Sequence, residues 1–185
     1  TPCSIHGGGE RNAAPPPAHH EHDPLTHRAE AVDTGPAACH GRTVATVQAQ
    51  AIMSLDGYVA KADNSIGRLF DWLQNGEVEL PTPAGDFAVH LAPASAEHWR
   101  RWTASLGALV CGRTLFDVAG GWGGRHTLDV PVVVVTHRVP VEWVEAHPDA
   151  PFSFVTDGVG AAVARARELA GDRVVSVTGG TIARQ

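Results

Sequence analysis

The chain has 185 residues, 43% of them apolar, and a formal charge of −6 at neutral pH. That length and apolar content support one buried core with residues to spare, while the acidic balance argues against a nucleic-acid partner, whose phosphates select a basic surface. No apolar run approaches the roughly 20 residues of a membrane helix, and the first residues lack the apolar h-region of a secretory signal. The three cysteines, Cys3, Cys39 and Cys111, are odd in number and widely spaced, which argues against a disulfide framework. Composition therefore points to a cytoplasmic protein and away from nucleic-acid or membrane partners.

Residues 1–42 stand apart. They hold Gly7-Gly8-Gly9, Pro15-Pro16-Pro17 and six histidines (His6, His19, His20, His22, His27 and His40) without apolar periodicity. Such a stretch buries too little surface to offset its ordering entropy and is expected to be disordered. His19, His20, His22 and Cys39 are metal-ligand types, but their spacing matches no established zinc pattern, so no metal site is expected. Residues 43–185 read as one domain. Within it, 43–53 predicts a first, largely buried strand. Residues 95–105 predict a helix, with Ser95 as N-cap, Glu97 in the first turn and Trp99, Trp102 and Leu106 at helical spacing. Gly107 ends that helix, a short apolar strand spans 108–111, and Gly112 opens a helix through about Val118. Residues 130–136 form the plainest strand and 152–156 another. An Ala-rich helix over 159–170 is closed by Gly171, and 173–178 is the last strand. Alternating elements of these lengths predict an α/β fold, with parallel strands and helices on both faces.

Open parallel sheets bind ligands beyond the carboxyl ends of their strands, and three such ends here carry glycine or polar residues. At Gly112-Arg113-Thr114 a guanidinium and a hydroxyl stand at a strand-to-helix turn, suited to a phosphate; the plainer account is a tight turn followed by an exposed arginine. Thr136-His137-Arg138 suits an adenosine 2′-phosphate, or is an ordinary solvated loop before Pro140. At Gly179-Gly180 no Cβ keeps a ligand away, and the N–H groups of a new helix favour an anion; close helix–strand packing explains the same pair. A fourth segment, Met53-Ser54-Leu55-Asp56-Gly57-Tyr58-Val59-Ala60, leads into the polar loop 61–68. Asp56 there suits substrate binding or proton relay, or forms a plain turn with Gly57.

In order along the chain, MSLDGYVA (53–60), FDWL (70–73), GALVCGRTLFD (107–117), PVVVVTHRVP (131–140) and VSVTGGTIARQ (175–185) resemble the dihydrofolate-reductase-like family. Within it they are most similar to the C-terminal reductase domain of the bacterial bifunctional riboflavin-biosynthesis deaminase-reductase and to its stand-alone relatives. The resemblance covers nearly all of 43–185. It implies an α/β/α sandwich with a mostly parallel sheet, and an NADPH-dependent reductase that passes a hydride directly to a C=N or C=O group. The implied substrate is a small heterocycle of pyrimidine or pterin type, as in the aminouracil step of riboflavin biosynthesis or in dihydrofolate reduction. Carried over, Gly112 and Arg113, with Thr114 beside them, would meet the cofactor phosphates. Thr136, His137 and Arg138 would surround the adenosine 2′-phosphate. Gly179, Gly180 and Thr181 would approach the pyrophosphate and nicotinamide ribose. Ala51 and Ile52 would line the nicotinamide, and Asp56 would begin the loop that covers it. Asp71 lies near the carboxylate that assists protonation in dihydrofolate reductase proper, so Asp56 and Asp71 are the catalytic candidates. Trp72, and Trp122 in a Gly120-Gly121-Trp122-Gly123-Gly124 loop able to flex, are candidates to line the pocket, although a Gly-rich loop around one Trp is as often a plain connection.

The chain departs from the family at several points. The Gly-Arg-x-Thr pattern becomes Gly112-Arg113-Thr114-Leu115, which displaces one phosphate-binding hydroxyl. Tyr58 stands where the riboflavin enzymes carry a lysine, which favours the stand-alone relatives. No deaminase zinc signature precedes the match. The family continues with a helix and strands that complete the sheet and support a homodimer. The domain is therefore expected to be a fragment lacking those C-terminal strands, with its last strand left with an unpaired edge. The alternatives are a non-catalytic or degenerate nucleotide-binding module on the same fold and, from another class, a metal-binding protein that uses the histidine tail.

Overall fold

The computed structural model of the protein describes residues 45–185. Its elements, in order, are β1 (Val47–Gln50), β2 (Val78–Pro81), β3 (Ala88–Leu91), α1 (Pro93–Ser105), β4 (Leu106–Gly112), α2 (Arg113–Val118), β5 (Val132–Val135), α3 (Val141–Ala146), β6 (Phe152–Val155), α4 (Val159–Ala170) and β7 (Val174–Thr178). Five strands form one sheet in the order β1-β7-β4-β5-β6, and every adjacent pair is parallel. The α/β fold expected from the alternation of elements, a parallel sheet with helices on both faces, is the architecture adopted. The histidine-rich tail, with His19, His20, His22 and Cys39, lies outside the described residues.

The two faces of the sheet are covered differently. On one, α4 lays Ala162, Ala166 and Ala170, a stripe repeating every four residues, against Ala108, Val110, Val133, Val175 and Val177. Methyl side chains let the helix lie close. On the other, Leu109, Cys111, Val132 and Val134 sit beneath Phe116 of α2, Trp99 and Trp102 of α1 and Trp143 of α3. Phe116 meets Trp143 at 5.0 Å and Phe154 at 5.2 Å between ring centroids, both edge to face, the arrangement ring quadrupoles favour. The apolar runs of β4 and β5 follow from this double covering, since a strand buried on both faces has no wet side to alternate toward.

Several sequence expectations are corrected by this arrangement. The first strand is not the buried run 43–53 but the four-residue β1, an edge strand among the described residues with Gln48 and Ala49 exposed. Helix α1 starts at Pro93, before Ser95, and Ser95 caps nothing; proline suits the first helical position because its fixed φ is helical and its missing N–H needs no partner. Gly107 does not separate helix from strand. It lies inside β4, at a register shift against β7 between Leu106 and Ala108. A Cβ there would fall 2.8 Å from both Ala170 Cα and Arg173 Cβ, so glycine lets the end of α4 approach the sheet. The last strand has no unpaired edge: β7 lies inside the sheet, bonded to β1 on one side and β4 on the other. By contrast α4 has the predicted bounds, closed by Gly171 at φ 65°.

The antiparallel pair β2–β3 and the short α3 were not foreseen. Each strand has four residues and β2 ends in a proline, so neither gives a long periodic signal. The pair makes its own cluster, with Leu80, Val89 and Leu91 packed against Leu73 and Ala96. The Gly120–Gly124 segment also differs from expectation. Gly121, Trp122 and Gly123 hold φ of 59°, 50° and 61°, and Trp122 packs into the aromatic face, 4.6 Å from the His126 ring and 6.2 Å from Phe152. Phe152 begins β6 and pairs with Val132 at the start of β5, so Trp122 belongs to the amino-terminal end of the sheet and not to a pocket at the carboxyl ends. A tryptophan at positive φ is held there by the packing of its ring. His126 is half-buried beside it and Nδ1 accepts the Leu128 N–H at 3.1 Å. Burial lowers its pKa to about 4, against an opposing pull from the Asp86 carboxylate.

Two measurements test this packing. Gly107→Ala is expected to lower stability by about 1–3 kcal/mol, the usual range for forcing extra volume into a closed contact, read from the urea-unfolding midpoint. His126 is neutral when folded and titrates near 6.5 when unfolded, so its contribution is complete above pH 6.5 and is lost as pH falls toward 4. The loss is about 3 kcal/mol at most. His126→Gln is expected to flatten the stability–pH curve in that window, and an unchanged slope would show that other groups cause it.

Candidate functional site

Strand order reverses at β4. The chain leaves β4 through α2 to β5 on one side, and β7 returns to its other side through α4. Since α2 and α4 cover opposite faces, the carboxyl ends of β4 and β7 mark the position at which open parallel sheets generally receive ligands. Gly112 ends β4, and Gly179 and Gly180 follow β7. The turn after β7 folds across its neighbour: Ile182 lies over Gly112, where an added Cβ would sit 3.0 Å from Ile182 Cγ1. Gly179 has φ 103°, a conformation that side-chain-bearing residues avoid. The Ala183 N–H donates to Gly179 O at 3.1 Å and Arg184 Nε to Gly180 O at 3.2 Å. Thr181 is exposed just before the closing 3-10 turn, Ile182–Arg184.

The β4 and β5 ends are tied together. Arg113 Nη1 donates to the main-chain carbonyl of Arg138 at 2.9 Å, while its Nε donates to Asp117 Oδ1 at 2.7 Å. Thr136 is buried, its hydroxyl donating to the same Arg138 carbonyl at 2.8 Å and accepting the Arg138 N–H at 3.2 Å. The side chains of Thr114, His137 and Arg138 are exposed. Two of the sequence-derived segments, 112–114 and 136–138, are thus brought together by hydrogen bonds, and the third, 179–181, adjoins the first through Ile182. Cys111 lies at this end as well. Burial pushes its thiol up to about 12, so no thiolate forms near neutrality.

The fourth segment lies beside the β7 turn: a Cβ on Gly180 would be 3.7 Å from Val59 Cγ2. Ala51 is exposed and Ile52 half-buried. Ser54 closes the turn that holds Asp56, its N–H donating to Tyr58 O at 2.8 Å and its hydroxyl to Asp56 Oδ1 at 2.6 Å. Asp71 is exposed and paired with Arg68 at 2.7 Å. A cleft of about 470 Å³ opens in this stretch, lined by Ser54, Tyr58, Lys61, Ile66, Arg68 and Trp72 among others. Asp56 and Asp71 belong to the same stretch without lining the cleft. Among the described residues no group of three or more His, Cys, Asp or Glu is placed to hold a metal ion, and no helix is long and apolar enough to cross a membrane.

Sequence reasoning missed Asp117 and Ile182. The spacing of Arg113 and Asp117, one helical turn apart, was a signal available in advance. The seating of Ile182 on Gly112 had none, because it depends on which strands are neighbours.

No family model matches the chain, and no curated protein matches it. Among solved structures it is similar to the crystal structure of a protein from Shewanella sp. PV-4 provisionally named as a riboflavin biosynthesis protein, with 17% identity and a TM-score of 0.47. That overlap covers 77% of this chain and 68% of the other.

Replacing Thr136 tests the junction of the two strand ends. Thr136→Val preserves shape but removes both hydrogen bonds to residue 138, and is expected to lower stability by about 1 kcal/mol, while Thr136→Ser stays near wild type in the same urea titration.

Proposed function

We propose that the protein is an NADPH-dependent reductase that delivers a hydride to a C=N or C=O group of a small pyrimidine- or pterin-like heterocycle. The observation that carries this reading is the meeting of three glycine or polar segments at the carboxyl ends of adjacent strands β7, β4 and β5, beside the reversal of strand order. The residues present fit a dinucleotide. Gly179 and Gly180 put no side chain of their own in the way of a phosphate, and His137 and Arg138 extend from a turn anchored by a buried threonine.

The cofactor, once bound, supplies the hydride. The chain binds and orients it. Gly179, Gly180 and Thr181 lie along its pyrophosphate and nicotinamide ribose; Gly112, Arg113 and Thr114 meet phosphate oxygens. Thr136 fixes the turn from which His137 and Arg138 meet the 2′-phosphate, a guanidinium being suited to that dianion. Ala51 and Ile52 line the nicotinamide side. The 53–72 stretch, with its cleft, receives the substrate and shields the reacting atoms from water. A proton comes from Asp56 or Asp71, both on that stretch.

One observation favours a second reading, a nucleotide-binding module without turnover. Both candidate carboxylates are exposed and engaged by neighbours, Asp56 by the Ser54 hydroxyl and Asp71 by Arg68, and among the described residues no carboxylate lines the cleft.

A thermal melt of the chain with NADPH, and separately with NADH, tests the reading. At a hundred times the dissociation constant, NADPH is expected to add about 2.7 kcal/mol of stability, a shift of several degrees, with NADH adding less. Loss of NADPH absorbance with candidate heterocycles then separates the reductase from the silent module. A cooperative melt indifferent to both nucleotides would overturn both readings.

A further inference from the structure

Arg113 does two things with one side chain. Within α2 its Nε holds Asp117 Oδ1 at 2.7 Å, one turn along. Across to the next strand end its Nη1 donates to the Arg138 carbonyl at 2.9 Å, 25 residues away in sequence. That carbonyl also accepts the Thr136 hydroxyl at 2.8 Å. A guanidinium is a rigid plane with donors in fixed directions. With Nε held by Asp117 and Nη1 by the Arg138 carbonyl, the two bonds together restrict the orientation of the plane. Two donors on one carbonyl then hold the peptide from which the Arg138 side chain departs.

An exposed pair of this kind, with side chains 37% and 52% exposed, contributes little to stability by itself. Asp117 is also a negative charge beside strand ends suited to phosphates, so by direct Coulomb interaction it opposes an anion there. The two effects have opposite signs, which makes the role of Asp117 decidable.

We propose that Asp117 is a positioning residue: it orients Arg113 as a clasp between the β4 and β5 ends, and the clasp holds the 136–138 turn ready for the 2′-phosphate end of the dinucleotide. Arg113 then acts chiefly through the Arg138 carbonyl and not as the group that distinguishes NADPH from NADH. This rests on the NADPH reading above and deepens it.

Calorimetric titration of the whole chain with NADPH and with NADH tests the clasp in wild type, Asp117→Ala, Asp117→Asn and Arg113→Lys, each variant checked for a cooperative melt. Asp117→Ala removes a negative charge yet is expected to weaken NADPH about threefold to tenfold, the scale of coupling through a hydrogen-bonded network, with a smaller loss for NADH. Asp117→Asn keeps an acceptor for Nε and is expected to restore NADPH affinity to within about twofold of wild type. Arg113→Lys keeps the charge but cannot serve both partners in one plane, and should match Asp117→Ala, with no further loss when the two are combined. If Asp117→Ala fails to fold, the contrast between Asp117→Asn and Arg113→Lys decides the matter alone. NADPH binding unchanged or tightened in Asp117→Ala, or Asp117→Asn as weak as Arg113→Lys, would overturn the clasp. A wild-type chain that binds neither nucleotide would instead overturn the cofactor reading and the clasp with it.

Discussion

The molecule is ordered by the double enclosure of β4 and β7, each hydrogen-bonded to a strand on both edges and covered by helices or aromatic rings on both faces. A strand so enclosed has no wet side, and an unpaired polar group placed along it would lose its hydration without compensation. Among the described residues the buried polar side chains are Thr82, Thr136 and Ser176, and only Ser176 stands within a strand. Along β4, β5 and β7, polar side chains other than Ser176 therefore fall at or beyond the strand ends. There the chain must turn, glycine relieves the crowding, and side chains reach solvent again.

The unequal covering of the two faces has a structural consequence. α4 approaches through three alanines, so the contact tolerates little added volume, and Gly107 has no Cβ because the end of α4 occupies that space. The opposite face is filled by Trp, Phe and Leu side chains carried on three short or amphipathic helices, and their size sets how α2 and α3 can lie. α2 carries Arg113 and Asp117, while α3 begins just beyond Arg138. Rings such as Phe116 and Trp143 thus hold the two helices whose ends bring the Arg113 guanidinium to the Arg138 carbonyl. The packing of one face and the geometry of the β4 and β5 strand ends are the same constraint seen at two levels.

The strand ends and the 53–72 stretch contrast in how they are held. Arg113 and Gly112 are fixed by contacts that reach another strand end or its turn, and the Thr136 N–H donates across to Val155 O of β6 at 3.0 Å. In the 53–72 stretch the side-chain hydrogen bonds are local: Ser54 to Asp56, Ser65 to Asp63, Arg68 to Asp71. Large apolar side chains there stay exposed, Leu55, Tyr58 and Met53 foremost. A segment held by local bonds, with large apolar side chains exposed, opens at low free-energy cost.

How much was legible in advance follows from the range of the forces concerned. The amino-acid sequence by itself determined the helix α4 with its closing Gly171, the apolar strands that became β4, β5 and β7, and the α/β class, because periodicity, glycine and β-branched runs act over a few residues. It also marked Gly112, Arg113, Thr136, His137, Arg138 and the Gly179-Gly180 pair as strand-end residues. Only the tertiary structure decided that β7 lies between β1 and β4, that Gly107 sits under Ala170, that Trp122 faces the core and not a pocket, and that Arg113 reaches the carbonyl of Arg138. Strand order, helix approach and cross-strand hydrogen bonds join residues far apart in the chain, and their energies depend on which surfaces are buried together, a quantity no local window of sequence contains.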